Sequence, residues 1–178
     1  ARALLALVRD LVRNRLVDTL AASVIKVDDD LFRAADRAGS SGDQQRLLDA
    51  MIHLRNHRKE IPAAFARYFV EVFDRRLNSR AEEALAMTRP MSLADLSIVE
   101  TNAVEDTLIV TELARGAKNA IEPDTLHAIR IRMAHLAGEE SLDDRRNPIA
   151  PEAIYDALRR ATSGIPGESP VRHAILEA

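Results

Sequence analysis

The first segment of the chain, residues 2–37, contains neither glycine nor proline and carries its apolar residues at helical spacing. Steps of three and four between apolar positions indicate one buried stripe along a helix. The stripe consists of Leu4, Val8, Leu11, Leu16, Leu20, Val24, Val27, Leu31 and Ala35. A helix of about 36 residues is roughly 54 Å long, whereas a compact globule of this size is only about 40 Å across. The segment therefore predicts a helix too long for a ball-shaped domain to enclose.

A turn rich in glycine and serine, residues 39–42, separates this helix from a second apolar-periodic segment that continues to about Met87. Asp43 is placed to cap the start of the second helix. Pro62 lies inside the segment, where it lacks an N–H group and clashes with the carbonyl of Arg58. The second helix must therefore kink or restart near Pro62.

Shorter helical patterns follow in the second half of the chain. They lie at about residues 102–120, 123–137 and 151–161. Pro123 and Pro151 stand at first helical positions, where proline is favoured, and Gly138 lies just past the end of the middle helix. Helices therefore account for this half of the chain as well.

The sequence as a whole predicts an all-α fold. Its main part is an elongated antiparallel helical hairpin, kinked near Pro62, and its C-terminal part is smaller, helical and packed. We expect the hairpin over residues 1–90 and a bundle of short helices over residues 91–178. The two parts could equally form one continuous domain.

Composition excludes several classes of protein. Cysteine is absent, which rules out disulfides, cysteine-bound metal clusters and thiol nucleophiles. No apolar run reaches the roughly 20 residues that a membrane-spanning helix needs. The formal net charge is −3 with mixed signs along the chain, whereas nucleic-acid-binding proteins usually show a basic excess. We therefore expect a cytoplasmic protein without membrane insertion or nucleic-acid binding.

Four stretches of the chain together resemble one known family, in the same order. They are LVRNRLVDTLAASVIKVDDDLFRAADRAGSSGDQQRLLDAM, HLRNHRKEIPAAF, LSIVETNAVEDTL and NPIAPEAIYDALR. The family consists of large proteobacterial proteins of unknown function, some of which carry an automatic label of thymidine phosphorylase. The resemblance implies a fragment from the N-terminal part of a longer cytoplasmic protein, and it brings no catalytic residues. The chain departs from the expected continuous helix at Pro62.

The phosphorylase label finds no support in the residues. Main-chain binding of phosphate needs a glycine-rich loop between a strand and a helix, and neither GxGxxG nor GxxxxGK[ST] occurs here. Both ends of the sequence look like cuts through a longer chain, because it opens on Ala1 and closes on the apolar residues 171–176. These features agree with a fragment of a larger protein.

Three residues at helical spacing are a candidate metal site. His53, His57 and Glu60 stand at i, i+4 and i+7, so one helix face could offer two imidazoles and a carboxylate to a divalent ion. The HExxH pattern is missing, and three positions on one helix rarely suffice without another ligand. We therefore favour a solvated polar face here and predict no metal.

The densest basic region, around Arg55, Arg58 and Lys59, is a candidate phosphate-binding site. The alternative is charge pairing with the acids Asp28, Asp29 and Asp30, which an antiparallel hairpin brings near these residues. Alternating charge usually marks a solvated face laced with ion pairs, so the alternative is favoured. The same two interpretations apply to a second basic group at Arg75, Arg76 and Arg80.

Most of the aromatic residues lie together after the proline. Phe65, Tyr68, Phe69 and Phe73 recur at helical spacing and form a wide apolar face. The face is either part of the core or a surface for a protein partner, since aromatic residues concentrate in both. We place the candidate interaction surface on these four residues.

The function hypotheses follow from these features. No residue stands in a catalytic motif, no cofactor is predicted, and we expect no enzyme in this chain. The preferred hypothesis is a non-catalytic helical interaction or regulatory module of a larger cytoplasmic bacterial protein, with a protein partner or self-association. The alternative is a ligand-responsive module that binds a nucleotide second messenger or another phosphate ligand through the basic helix face.

Overall fold

The computed structural model of the protein describes residues 2–86 and 101–163. This part of the chain forms six helices and no strand, which confirms the all-α prediction for the residues described. The helices are α1 (Arg2–Asp36), α2 (Ser41–His57), α3 (Glu60–Ala86), α4 (Thr101–Ala120), α5 (Pro123–Ala137) and α6 (Pro151–Thr162). None of them is long and apolar enough to cross a membrane.

Helix α1 extends over 35 residues, as its lack of glycine and proline predicts. Its C-terminal half buries the predicted stripe, which comprises Leu20, Val24, Val27, Leu31 and Ala35. The prediction is wrong for Leu4 and Leu11, whose exposed fractions are 54% and 73%. Helical spacing identifies an apolar face, but whether that face is covered depends on which other elements pack there.

Helix α2 begins two residues earlier than Asp43, and Ser40 is its N-cap. The Ser40 hydroxyl oxygen accepts a hydrogen bond from the Asp43 main-chain nitrogen at 3.1 Å, and the hydroxyl donates to the Asp43 carboxylate at 2.7 Å. The two side chains thus form a reciprocal cap in which Asp43 supports Ser40. The predicted role of Asp43 as the capping residue itself is corrected accordingly.

The predicted discontinuity near Pro62 is a restart. Helix α2 ends at His57, Arg58 and Lys59 form a turn, and α3 begins at Glu60. Pro62 therefore lies in the first turn of α3, where a missing N–H group leaves no intrahelical bond unmade. The carbonyl with which Pro62 would clash belongs to Arg58, and α2 has already ended before that residue.

Helix α5 shows both of its predicted terminal signals. Pro123 occupies the first turn, and Gly138 ends the helix in the left-handed conformation with φ of 76°. The main-chain nitrogens of Gly138 and Glu139 donate to the carbonyls of His135 and Ala134, at 3.1 and 2.9 Å. Glycine is favoured at this position because a side chain would be strained at positive φ.

The chain divides into two compact units. The first unit comprises residues 1–9 and 70–156, and the second comprises residues 10–69 and 157–178. Helices α1, α3 and α6 contribute residues to both. The boundary predicted at residue 90 falls in the range 87–100, outside the described residues, and it stays a prediction.

Each unit has an aliphatic and phenylalanine core. In the first unit the largest buried side chains include Val72, Phe73, Met133 and Leu142. In the second unit they include Val24, Leu54, Ile61, Phe65 and Phe69. All of these residues except Leu142, which lies in the loop before α6, belong to helices, so both cores are formed mainly by helix packing on helix.

Candidate functional site

Three of the four aromatic residues proposed as an interaction surface are buried. Phe65 and Phe69 belong to the second unit, where their ring centroids are 5.9 Å apart, and Phe73 is buried in the first unit. Tyr68 is half-buried, and the guanidinium carbons of Arg67 and Arg160 lie 4.7 and 5.1 Å from its ring centroid. Packing thus gives the phenylalanines a core role, and their role in an interaction stays a prediction.

Arg55 is held by an acid of the facing helix. Its guanidinium donates to both carboxylate oxygens of Asp28, at 2.8 and 3.0 Å, across 27 residues of sequence. The hydrogen bond to Asp28 and then the Coulomb attraction of that carboxylate raise the pKa of Arg55. The predicted pairing of the basic segment with the acids of the first helix is confirmed at this position.

Arg58 and Lys59 are exposed in the turn between α2 and α3. The candidate phosphate-binding group loses Arg55, because the guanidinium of Arg55 already donates to Asp28. Phosphate binding by Arg58 and Lys59 stays a prediction. Two exposed cations on a turn resemble many solvated surfaces, and their spacing alone defines no pocket. The basic face remains a hypothesis that rests on Arg58 and Lys59.

The candidate metal residues do not converge. His57 donates from Nδ1 to the carbonyl oxygen of His53 at 2.9 Å, and its Nε2 lies 4.0 Å from Glu60. The restart at residues 58–59 separates Glu60 from the helix that carries both histidines. Within the described part of the chain, no three histidine or acidic side chains are grouped to hold an ion.

The second unit exposes three large apolar side chains that the sequence did not single out. Ile25 and Phe32 of α1 and Ile52 of α2 have exposed fractions of 52%, 58% and 52%. Ile25 and Phe32 are seven residues apart, so they lie on one face of α1. We call these three residues the α1–α2 patch.

The Arg55–Asp28 ion pair relates the two helices of the patch. Asp28 is three residues after Ile25 and four before Phe32, and Arg55 is three after Ile52. Residues three or four apart share a helix face, so all three apolar side chains lie on the flank that carries the ion pair. A sequence pattern cannot reveal this arrangement, because it depends on the register of α1 against α2.

The first unit contains a loop anchored by a half-buried arginine. Arg76 of α3 donates to the main-chain carbonyls of Asp144 and Asn147, at 3.1 and 3.2 Å. Burial lowers the pKa of Arg76, although Glu152 and Asp156 act in the opposite direction. Arg75 pairs instead with the carboxylate of Asp156 at 3.0 Å.

Residues 147–150, which begin the last of the four stretches that resemble the family, form a largely buried corner. Asn147 is 5% exposed, and its side-chain oxygen accepts from the main-chain nitrogen of Ile149 at 3.2 Å. Arg146 forms a two-pronged ion pair with Glu139, and both side chains are largely buried. These contacts fix the path of the chain into α6. They give Asn147, Arg146 and Glu139 a structural role.

An open cleft of about 510 Å³ lies beside this loop in the first unit. Its charged and polar lining comes from Lys118 and Asn119 of α4, His127 and Arg130 of α5, and Asp144 of the loop. Its apolar lining consists of Ile121, Pro123 and Leu126. In this cleft, cationic and apolar side chains face one volume.

The described residues form an all-α domain. The chain belongs to the family described as protein of unknown function (DUF1631), N-terminal domain, which matches residues 1–178. The family match confirms the resemblance found in the sequence. No curated protein and no solved structure matches the chain.

Proposed function

We propose that this domain is a non-catalytic helical interaction module of a larger cytoplasmic bacterial protein, and that its partner is a second copy of the same chain. The α1–α2 patch is the observation that carries the proposal. Three large apolar side chains on one flank lose contact with water when a partner covers them, which favours association. Scattered single exposures would need no such explanation.

The charges around the patch favour a second copy as the occupant. The exposed acids Asp29 and Asp49 and the exposed base Lys26 lie on the same two helices as the patch. In a two-fold symmetric interface the same patch meets itself, so acids of one copy can face bases of the other. A partner carrying charge of one sign would be repelled by one of the two groups.

The size of the patch sets the expected strength of association. Stable complexes bury about 800 Å² on each partner, and three half-exposed side chains supply only part of that area. Polar residues at the rim must therefore contribute the remainder. We expect a weak dimer whose population rises with protein concentration.

Replacing Ile52 by glutamate tests this proposal. A carboxylate within the patch would be buried without a partner, so we expect Ile52→Glu to weaken dimerisation by at least about tenfold. Sedimentation velocity over a series of protein concentrations measures the effect. Folding should be unaffected because Ile52 is half exposed.

Ile131→Glu is the matched control for that experiment. Ile131 lies on α5 in the first unit and has an exposed fraction of 55%, nearly the same as Ile52. It should dimerise like the unchanged chain. The proposal is contradicted if the unchanged chain stays monomeric at every concentration, or if both variants lose dimerisation equally.

A further inference from the structure

The cleft in the first unit brings two cations to one rim. Lys118 of α4 and Arg130 of α5 both line it. The pKa of Lys118 is raised, first by its hydrogen bond to Asp144, while the nearby charge of Arg130 acts in the opposite direction. Both side chains face the cleft, so an anion bound there would be attracted by each of them.

Within residues 2–86 and 101–163, only one of the two cations is paired with acids. Lys118 pairs with Asp144 and lies 3.9 Å from a carboxylate oxygen of Glu152. Arg130 has no carboxylate partner among the described residues, and its contact is with the ring of His127. The positive charge of Arg130 is thus available to a ligand.

Arg130 and His127 together present hydrogen-bond donors. A guanidinium nitrogen of Arg130 lies 3.1 Å from Nδ1 of His127, and arginine can only donate. His127 Nδ1 must then accept, which places the proton of the neutral ring on Nε2. The remaining Arg130 N–H groups and the His127 Nε2–H suit the oxygens of a carboxylate or phosphate.

The other wall of the cleft is apolar. Ile121, Pro123 and Leu126 supply it, and the volume of about 510 Å³ falls within the range of small-molecule sites. Inorganic phosphate or acetate would leave this wall in contact with water. A ligand with an apolar body as well as a charged group would cover it.

We propose that the cleft binds a small organic anion, with an oxyanion group on Arg130 and His127 and an apolar body against Ile121, Pro123 and Leu126. This site is independent of the interaction function proposed above, because every residue that lines it belongs to the first unit. It also differs from the basic face around Arg58 and Lys59.

Titration of the chain with phenyl phosphate, followed by NMR chemical shifts, tests the proposal. Phenyl phosphate should bind saturably at the cleft, with a dissociation constant on the order of a millimolar for a ligand of this size. Inorganic phosphate and phenol each lack one half of the ligand and should bind several-fold more weakly. Absence of saturable binding, or equal binding of inorganic phosphate, would overturn the proposal.

Two arginine variants locate the bound group. Arg130→Gln should weaken phenyl phosphate binding by about tenfold, because charge-assisted hydrogen bonds are lost. Arg132→Gln changes an exposed arginine of the same helix that does not line the cleft, and it should alter binding by less than about twofold at physiological salt. Equal losses in both variants would indicate general charge attraction and overturn the site, as would undiminished binding by Arg130→Gln.

The unfolding temperature of each variant provides the folding control. Arg130 and Arg132 are both exposed, so neither replacement should shift the thermal midpoint appreciably. Dimerisation should also be unchanged in Arg130→Gln. Failure of the cleft proposal and failure of the interaction proposal are therefore distinguishable.

Discussion

Phenylalanine occupies two opposite environments in this protein. Phe69 has no solvent exposure and stacks near Phe65, whereas Phe32 projects from α1 with 58% of its surface exposed. A buried phenylalanine contributes through apolar burial and through close contact with its neighbours. An exposed one contributes little to folding.

Truncation of these two residues should separate their roles. We expect Phe69→Ala to lower the free energy of unfolding by about 3–5 kcal/mol, because it removes buried surface and leaves a cavity. Phe32→Ala should change it by less than about 0.5 kcal/mol, as for an ordinary surface substitution. Denaturant unfolding at low protein concentration, followed by circular dichroism, measures both.

The same pair of variants also tests the assignment of the aromatic face. A small loss of stability in Phe69→Ala would contradict its place in the core. Reduced dimerisation in Phe32→Ala, with stability unchanged, would agree with the α1–α2 patch. Reduced dimerisation in a folded Phe69→Ala variant would instead return the interaction surface to the predicted aromatic residues.

The sequence predicted the contact of a single residue correctly where both partners are charged side chains. Arg55 and Asp28 are such a case, since opposite charges on facing helices can be matched from sequence once an antiparallel arrangement is assumed. Arg76 could not be interpreted in this way, because it donates to the main-chain carbonyls of Asp144 and Asn147. Every residue has a carbonyl group, so the sequence gives no signal of which ones an arginine contacts.

At the scale of elements, helix boundaries follow from local chemistry. Pro123 and Gly138 delimit α5, and the steric conflict of Pro62 with Arg58 ends α2 before α3 begins. The N-cap of α2 is three residues before the predicted one, because Ser40 and Asp43 are both favourable capping residues. Only the observed hydrogen bonds show that Ser40 takes the N-cap and Asp43 supports it.

The cap of α2 can be tested directly. Ser40→Ala removes the oxygen that accepts from the Asp43 main-chain nitrogen, and we expect the free energy of unfolding to fall by about 1 kcal/mol. Ser41→Ala is the control, since Ser41 is the first residue inside the helix and alanine is a better helix former there. A larger loss in Ser41→Ala than in Ser40→Ala would contradict the assigned cap.

At the scale of the whole molecule, the sequence identified the all-α class and the family. It did not identify which helix faces are buried by packing and which are exposed. Leu4 and Leu11 belong to the predicted buried stripe, but both are exposed. The sequence pattern did not mark Ile25 or Phe32, which form the α1–α2 patch with Ile52. Burial depends on the register and packing of several helices together. Periodicity within one segment contains no information about that packing.

The absence of cysteine makes the proposed dimer accessible to site-specific cross-linking. A two-fold symmetric interface brings equivalent residues of both copies together near its axis. Asp29 lies between Ile25 and Phe32 on the exposed side of α1, and Glu112 lies on the exposed surface of α4 in the first unit. Each can be replaced by a single cysteine without disturbing a buried residue.

The most direct test of the account is cross-linking of Asp29→Cys with a short bis-maleimide reagent, read as the covalent dimer fraction on a denaturing gel. We expect Asp29→Cys to form covalent dimers much faster than Glu112→Cys, and addition of Ile52→Glu to abolish the difference. Equal rates for the two cysteine variants would contradict self-association through the α1–α2 patch.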